Sequence, residues 1–358
     1  RDVAPSRGLG DVYKRQNLNN GLYLLVDWIE FTIKKIMSWE DAVSHFGLNV
    51  KEFKTELKGA QGYKSRVRHI IYPISFLYDG NDDMGIHVCV SGSAVRYFLD
   101  CYFKKYDCCD TPFGGFAYEV NDFNDTVLKD VLRDILGMGQ VTRFDLAIDD
   151  KGCTYYTCEE VCNIFRNGLY TSRFKKYRDD FEGGKGFCSG RTLYLGSRKS
   201  ELFIRIYDKQ LEQNSKKKDS VSFPWVRWEI ELHRARANTV ALLLAAGGAL
   251  PDIALGILSN YLRFLVKDNA RDSRCSTDPR WEAFLDGVKK IRICSPKVEK
   301  TIDDKRNWFR KQVAPTMAGI YEIDGDLSFI YECIDSGRMR LSKELLDMIE
   351  EEAKKYDR

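Results

Sequence analysis

Three short segments place ionisable side chains at alternate positions inside otherwise apolar runs. They are Arg143-Phe-Asp-Leu-Ala-Ile-Asp149, Phe203-Ile-Arg-Ile-Tyr-Asp-Lys209 and Arg227-Trp-Glu-Ile-Glu-Leu232. Successive residues of a strand point to opposite faces. In the first segment Phe144, Leu146 and Ile148 therefore share one face, and Arg143, Asp145 and Asp149 the other. In the second, Ile204 and Ile206 lie opposite Arg205, Tyr207 and Lys209; in the third, Trp228, Ile230 and Leu232 lie opposite Arg227, Glu229 and Glu231. If the three are neighbours, one face collects carboxylates, cations and a phenol. Carboxylate oxygens suit Mg²⁺ or Mn²⁺, Arg and Lys suit phosphate, and a phenol can act as a covalent nucleophile. That inventory fits metal-assisted phosphoryl transfer. Amphipathic strands also carry Arg–Glu pairs on a plainly solvated face, each worth about 0.2–1 kcal/mol. Periodicity alone leaves both readings open.

The elements that would position these strands follow from local signals. Leu22 to Ile33 is rich in strand formers, and Ser38 with Asp41 reads as a helix start that ends near Gly47. Val50 to Leu57 reads as a second short helix, and the pair has an alternative reading as a helix-turn-helix. Tyr63 to Asp79 and Met84 to Ser91 read as strands; Ser93 to Tyr106, Phe123 to Leu136 and Cys158 to Phe165 have helical spacing. Arg173 to Gly190 lacks a pattern and reads as an exposed loop, followed by a hairpin around Gly196-Ser-Arg-Lys199. From Ala235 the pattern is helical. Strands first and helices last imply an α+β fold: a mostly antiparallel sheet with helices on one face, then a C-terminal helical region. The expected divisions are residues 1–16, which resemble translated adaptor sequence and are set aside, a catalytic domain over 17–236, and the helical region over 237–358.

Charge distribution points to a polyanionic partner. The 358-residue chain has a net charge of only +3, but residues 166–236 hold 17 Lys or Arg against 9 Asp or Glu. Arg173-Phe-Lys-Lys-Tyr-Arg178 interleaves cations with aromatic rings, and Lys216-Lys-Lys218 is a bare cationic run. Phosphate neutralisation plus stacking is how such stretches bind single strands, although a bare lysine run is more often a solvated loop. The candidate DNA contacts are Arg173, Lys175, Lys176, Arg178, Arg198, Lys216, Lys217, Lys218 and Arg227.

Other classes are excluded or weakened. The most apolar stretch, Thr239 to Val266, is broken by Pro251, Asp252, Asn260 and Arg263, short of the ~20 residues a bilayer span needs. It reads as a pair of core helices, with no membrane association. The 11 cysteines at irregular spacing read as reduced thiols of a cytoplasmic protein, with no zinc pattern. Gly183-Gly-Lys-Gly186 lacks P-loop spacing, so unwinding would need a helicase partner. None of His45, His69, His87 and His233 forms a His-hydrophobic-His pair, and His69 and His87 read as ordinary strand residues.

Several strings then coincide in order: Thr142-Arg-Phe-Asp-Leu-Ala-Ile-Asp-Asp150, Leu193-Tyr-Leu-Gly-Ser-Arg-Lys-Ser200 running into Arg205-Ile-Tyr-Asp-Lys209, and Arg227-Trp-Glu-Ile-Glu-Leu232. With weaker echoes at Val26-Asp-Trp-Ile-Glu-Phe-Thr32 and Trp308-Phe-Arg-Lys-Gln-Val-Ala-Pro315, the chain resembles the replication initiation factor family. That family includes rolling-circle initiators of plasmids and phages and relaxases of conjugative elements. The resemblance implies an enzyme that nicks one strand of origin DNA, with Tyr207 as nucleophile, Arg205 and Lys209 beside it, a 5′-phosphotyrosyl link and a free 3′-OH. It implies Mg²⁺ or Mn²⁺, for which the carboxylates Asp145 and Glu229, then Glu231 and Asp149, are the candidates. Origin DNA, double- and single-stranded, is the implied partner; the C-terminal helices could serve a homodimer or origin reading. The competing readings are a non-catalytic, sequence-specific DNA-binding protein of a mobile element, and a phosphodiesterase acting on small substrates.

Overall fold

The β-branched and aromatic runs pair into a sheet whose middle is made of the three charge-bearing segments and the N-terminal strand. The computed structural model describes residues 16–17, 22–107, 123–185, 187–215, 221–285 and 302–356. In chain order its strands are β1 (Gln16–Asn17), β2 (Tyr23–Ile33), β3 (Phe53–Thr55), β4 (Ser65–His69), β5 (Ile74–Tyr78) and β6 (Ile86–Ser91). Then come β7 (Gly139–Lys151), β8 (Tyr170–Ser172), β9 (Tyr177–Gly184), β10 (Phe187–Leu195), β11 (Leu202–Asp208), β12 (Trp225–His233) and β13 (Leu262–Phe264). Eleven of them form one sheet in the order β3-β4-β5-β6-β2-β7-β12-β11-β10-β9, with β1 added to β2. Every pairing in it is antiparallel. Strands β8 and β13 form a separate antiparallel pair.

The helices are α1 (Trp39–His45), α2 (Ser93–Asp107), α3 (Phe123–Met138), α4 (Cys158–Arg166), α5 (Lys209–Ser215) and α6 (Arg234–Ala245). They continue with α7 (Leu250–Tyr261), α8 (Pro279–Leu285), α9 (Ile302–Trp308), α10 (Ala314–Asp324), α11 (Ser328–Arg338) and α12 (Lys343–Tyr356). Their ends have chemical causes. The Ser38 hydroxyl accepts from the Asp41 amide at the start of α1, and Thr157 with Glu160 forms a complete capping box on α4. Gly47 ends α1 at φ +75°, and a Cβ there would sit 2.3 Å from the Cys101 carbonyl oxygen. Phe46 is the C-cap and Gly47 the residue just past it, where the left-handed backbone and the close carbonyl together call for glycine.

The alternation read from sequence sorts the two faces of the sheet. Phe144, Leu146, Ile148, Ile204, Ile206, Trp228, Ile230 and Leu232 are all fully buried in one core with apolar residues of α1, α2, α3, α4, α6, α7 and α8. Helices α2, α3 and α6 pack on the central strands β2 and β7 or their neighbours. Burying each such side chain contributes about 1.5–3 kcal/mol, so the core layer fixes which face the charges occupy. The α+β architecture matches the expectation.

Three local expectations are corrected. Val50–Glu52 is a single 3₁₀ turn and Phe53–Thr55 is strand β3, because Phe53 pairs with His69 at the sheet edge; the helix-turn-helix reading falls with the second helix. Tyr63 to Asp79 is two strands, β4 and β5, reversing before Pro73. The stretch Arg173 to Gly190 is no loop: it contains β9 and the start of β10, which pair as the outermost hairpin of the sheet. Strand β9 is nearly all exposed, so it lacks the apolar alternation that marks a strand in sequence. The Arg191–Gly196 to Glu201–Lys209 hairpin is present as β10–β11, turning at Gly196 (φ +89°). No helix among the described residues is long and apolar enough to cross a membrane.

The chain divides into two units, Arg1–Ser295 and Pro296–Arg358. Helices α6, α7 and α8 lie in the first, α6 against β7 and α3. The second holds α9, a π turn over Phe309–Val313, α10, α11 and α12, and none of its described residues is buried.

Candidate active site

The antiparallel register lines up the charged positions of the central strands. Tyr207 on β11 is opposite Arg227 on β12, which is opposite Asp149 on β7. One row along, Arg205 faces Glu229; one row further, Glu231 faces Asp145, and Asp145 faces Trp28 of β2. The three strands expected to be neighbours therefore are, and their ionisable residues share the face opposite the helical core.

The phenol lies at the centre of one cluster. Tyr207 is buried, and its hydroxyl donates to Oε1 of Glu229 at 2.6 Å. The Lys209 ammonium donates to the same phenol oxygen at 3.3 Å, and Lys209 is anchored by Glu212 at 2.5 Å. The other oxygen of Glu229 is ion-paired with Arg205. Burial, and then the Glu229 charge, push the Tyr207 hydroxyl above its ordinary range, with Arg227 acting in the opposite direction. Burial and the Arg227 charge lower the Lys209 ammonium. A phenol so placed holds its proton until a base takes it, and Glu229 is the base in contact.

Arg227 and Asp149 form the floor beneath. The guanidinium holds both carboxylate oxygens of Asp149, at 2.6 and 2.9 Å, and reaches Asp27 at 3.3 Å. Both partners are buried. The Asp149 carboxylate is thus occupied by Arg227, and Arg227 is no surface cation.

A second acidic group adjoins the first. Asp145 accepts from Arg143 at 3.1 and 2.6 Å, and Arg143 also reaches Glu231 at 3.2 Å. His233 contacts Glu231 at 2.8 Å. Burial raises the Asp145 carboxyl to about 7, with Glu231 and Glu229 adding to the rise and Arg143 opposing it. For Glu231, burial alone would raise the carboxyl; the His233 hydrogen bond and the Arg143 charge bring it below the usual range. Asp145, Glu231 and Glu229 therefore crowd negative charge that Arg143 and Arg205 offset only in part. Their oxygens are the donor type that suits a hard divalent cation, but as they stand the three do not bring ligand atoms within 4.8 Å of one another.

Residues not singled out by alternation complete the face. Among the described residues, the trio whose ligand-type atoms all lie within 4.8 Å of one another is Glu30, His87 and Cys89. His87 contacts Glu30 at 3.3 Å and Thr32 at 3.1 Å, and Trp28 donates to Glu30 at 2.8 Å. Burial pushes the Cys89 thiol up to about 12. Asp27 is reached because the β2–β7 ladder slips by one residue there, between Val26 opposite Leu146 and Trp28 opposite Asp145. A slip of that kind changes the phase of a strand.

The cationic candidates separate. Arg178 is exposed, pairs with Asp180 at 2.9 Å and lies 4.3 Å from the Tyr194 ring centre. Arg198 stands near Tyr194 and Phe203 at 5.9 and 6.0 Å, rings that stack on each other at 5.8 Å. Arg173, Lys175 and Lys176 are exposed before β9. Lys216, Lys217 and Lys218 lie outside the described residues.

The chain and its fold are similar to known proteins. The family model described as replication initiation factor matches residues 139–334, which include all three charged strands, and the chain belongs to that family. Over 326 residues it is 29% identical to the Bacillus subtilis (strain 168) protein called "Putative DNA relaxase NicK", spanning 88% of this chain and 85% of that one. A solved structure titled "Structure of Rolling Circle Replication Initiator Protein from Geobacillus stearothermophilus" is similar at a TM-score of 0.61 and 28% identity. It covers 77% of this chain and 99% of its own.

Proposed function

We propose that the protein nicks one strand of an origin DNA by attack of Tyr207 on a backbone phosphate. The observation that carries this reading is the phenol oxygen held between the Glu229 carboxylate at 2.6 Å and the Lys209 ammonium at 3.3 Å. Glu229 takes the phenol proton as the oxygen closes on phosphorus. The new O–P bond forms as the P–O3′ bond breaks; the electron pair leaves on O3′, which is protonated to a free hydroxyl. The product is a 5′-phosphotyrosyl ester, and its reversal rejoins the strand. Lys209 and Arg205 stabilise the negative charge that develops at the phenol and phosphoryl oxygens.

Asp145, Glu231 and Glu229 are the residues that would hold Mg²⁺ or Mn²⁺, in exchange for the Arg143 and Arg205 contacts that now engage them. Asp149 serves this less well because its partner Arg227 is itself buried beneath the site. Such an ion would neutralise charge on the attacked phosphate. Arg173, Lys175, Lys176, Arg178 and Arg198 would contact the DNA backbone, with Tyr194 and Phe203 as a surface behind Arg198. Relatives named for a relaxase and a rolling-circle initiator support this reading. With no P-loop in Gly183-Gly-Lys-Gly186, strand separation falls to a separate helicase.

The test is incubation with supercoiled DNA carrying the sequence beside the gene, with Mg²⁺ or Mn²⁺, followed by mass mapping of the protein–DNA adduct. A nucleotide on the peptide containing Tyr207 is expected. A nick with the adduct on another residue, or tight binding without scission under any metal condition, would overturn it.

A further inference from the structure

The face that carries Tyr207 continues across the sheet to a cleft that the nicking chemistry does not use. Register pairs connect the two without a break: Arg143 faces Glu30, Glu30 faces Cys89, Cys89 faces Ser75, and Ser75 faces Arg68. Lys54 on the edge strand β3 is opposite Arg68. At this end lies a cleft of about 270 Å³ lined by residues including Trp28, Gln61, Arg66, Arg68, Ser75 and Ser91.

Its polar groups are arranged for an acceptor. The Nε of Arg66 is buried with no hydrogen-bond partner, a costly state for a guanidinium N–H. Among the described residues its guanidinium makes one hydrogen bond, from a terminal nitrogen to Ser75 Oγ at 3.4 Å. Arg68 is exposed, and among the described residues neither arginine is ion-paired. The acid in the cleft, Glu30, has both oxygens engaged, one accepting from Trp28 and the other in contact with His87. Burial would raise its carboxyl, but the His87 hydrogen bond brings it below the usual range, so the two arginines stand beside one retained negative charge. Two guanidiniums with no acidic partner among the described residues, beside serine and glutamine side chains, are the donor set a phosphodiester takes, and the volume admits the attached base. From Trp28 to Tyr207 the sheet steps three strands and four residues, on the order of 20 Å, which is a few nucleotides of extended strand.

We propose that this cleft is a second DNA subsite, which takes one nucleotide of the single strand with its phosphate on Arg66 and Arg68. The proposal rests on the DNA-nicking reading and adds a contact remote from the reacting phosphate. It makes the cleft an anchor that holds the strand while the nicked end stays on Tyr207.

The test compares the parent with Arg66→Gln/Arg68→Gln, using fluorescence anisotropy of a mixed-sequence single-stranded oligonucleotide over a range of salt concentrations. Thermal unfolding checks that the variant folds; if it does not, Arg68→Gln alone, at an exposed position, replaces it. The expected result is binding weakened about tenfold, the loss of a charge-assisted contact. The salt dependence should be shallower by about 0.7 in log–log slope, with nicking at saturating DNA unchanged. Unchanged affinity and slope would overturn the proposal, as would a free mononucleotide that competes as well as the oligonucleotide. Binding is read without cleavage, so a parent protein that binds through the arginines but fails to nick would sink the nicking reading and leave the subsite standing.

Discussion

The Tyr207 hydroxyl and the Glu229 carboxylate, 22 residues apart in the chain, meet at 2.6 Å across adjacent strands. Arg205 holds the far oxygen of the same carboxylate, so the base is fixed from behind while it faces the phenol. Removing the phenol oxygen alone should leave this frame intact. Tyr207→Phe is expected to lower nicking by about 10³-fold or more and to abolish the covalent adduct, with unfolding unchanged within about 1 kcal/mol, as gel assay and thermal melts would show.

Glu229→Gln should separate the base from the scaffold. Nicking is expected to fall by about 10²–10⁴-fold. Because the Glu229 charge helps push the Tyr207 hydroxyl up, its removal should let that phenol ionise at lower pH than in the parent. Ultraviolet titration against Tyr207→Phe would resolve the single phenol; an unmoved titration would contradict the coupling.

Metal binding should depend on pH through Asp145. Its folded carboxyl is raised to about 7, so it is protonated below that and anionic above. Only the anion is a ligand, so affinity for Mn²⁺ should fall as pH drops through about 7, up to tenfold per unit for one displaced proton. In the metal-free protein the sign is opposite to that of a salt-bridged acid. A raised carboxyl binds more protons folded than unfolded, so stability should decrease as pH rises from about 4 to 7. Calorimetry at several pH values checks both, and a chelator should abolish nicking.

The Arg227–Asp149 pair is a structural matter first. Both residues are buried and doubly hydrogen-bonded. Asp149→Ala leaves a buried guanidinium with only Asp27 and should cost about 3–5 kcal/mol in denaturant unfolding. The double variant with Arg227→Ala should be less destabilised than the sum of the two singles.

The face bearing the candidate site could be read from sequence because β11, β12 and the Arg143–Asp149 part of β7 alternate: Phe144, Leu146 and Ile148 are buried in the core and Arg143 and Asp145 pair with each other on the other face. Alternation failed where its assumptions failed. Strand β9 has almost no buried side to alternate against. Phe53 looked helical because a three-residue edge strand is too short to show a period. The engagement of Asp149 by Arg227 is a distance between side chains, which no pattern along one strand contains. Glu30 and His87 come together from residues 57 apart, and their signal was present only as Val26-Asp-Trp-Ile-Glu-Phe-Thr32.

The slip at Asp27 has a consequence for how this chain can change. Val26 and Trp28 face successive positions of β7, Leu146 and Asp145, so excising residue 27 would remove this slip and leave the neighbouring side chains on their present sides. Such a shortening would pass unnoticed by the hydrocarbon layer, yet it would strip Arg227 of its lesser acid and Gly92 of the carbonyl it donates to at 2.6 Å. Length at this point is set by the polar surface alone.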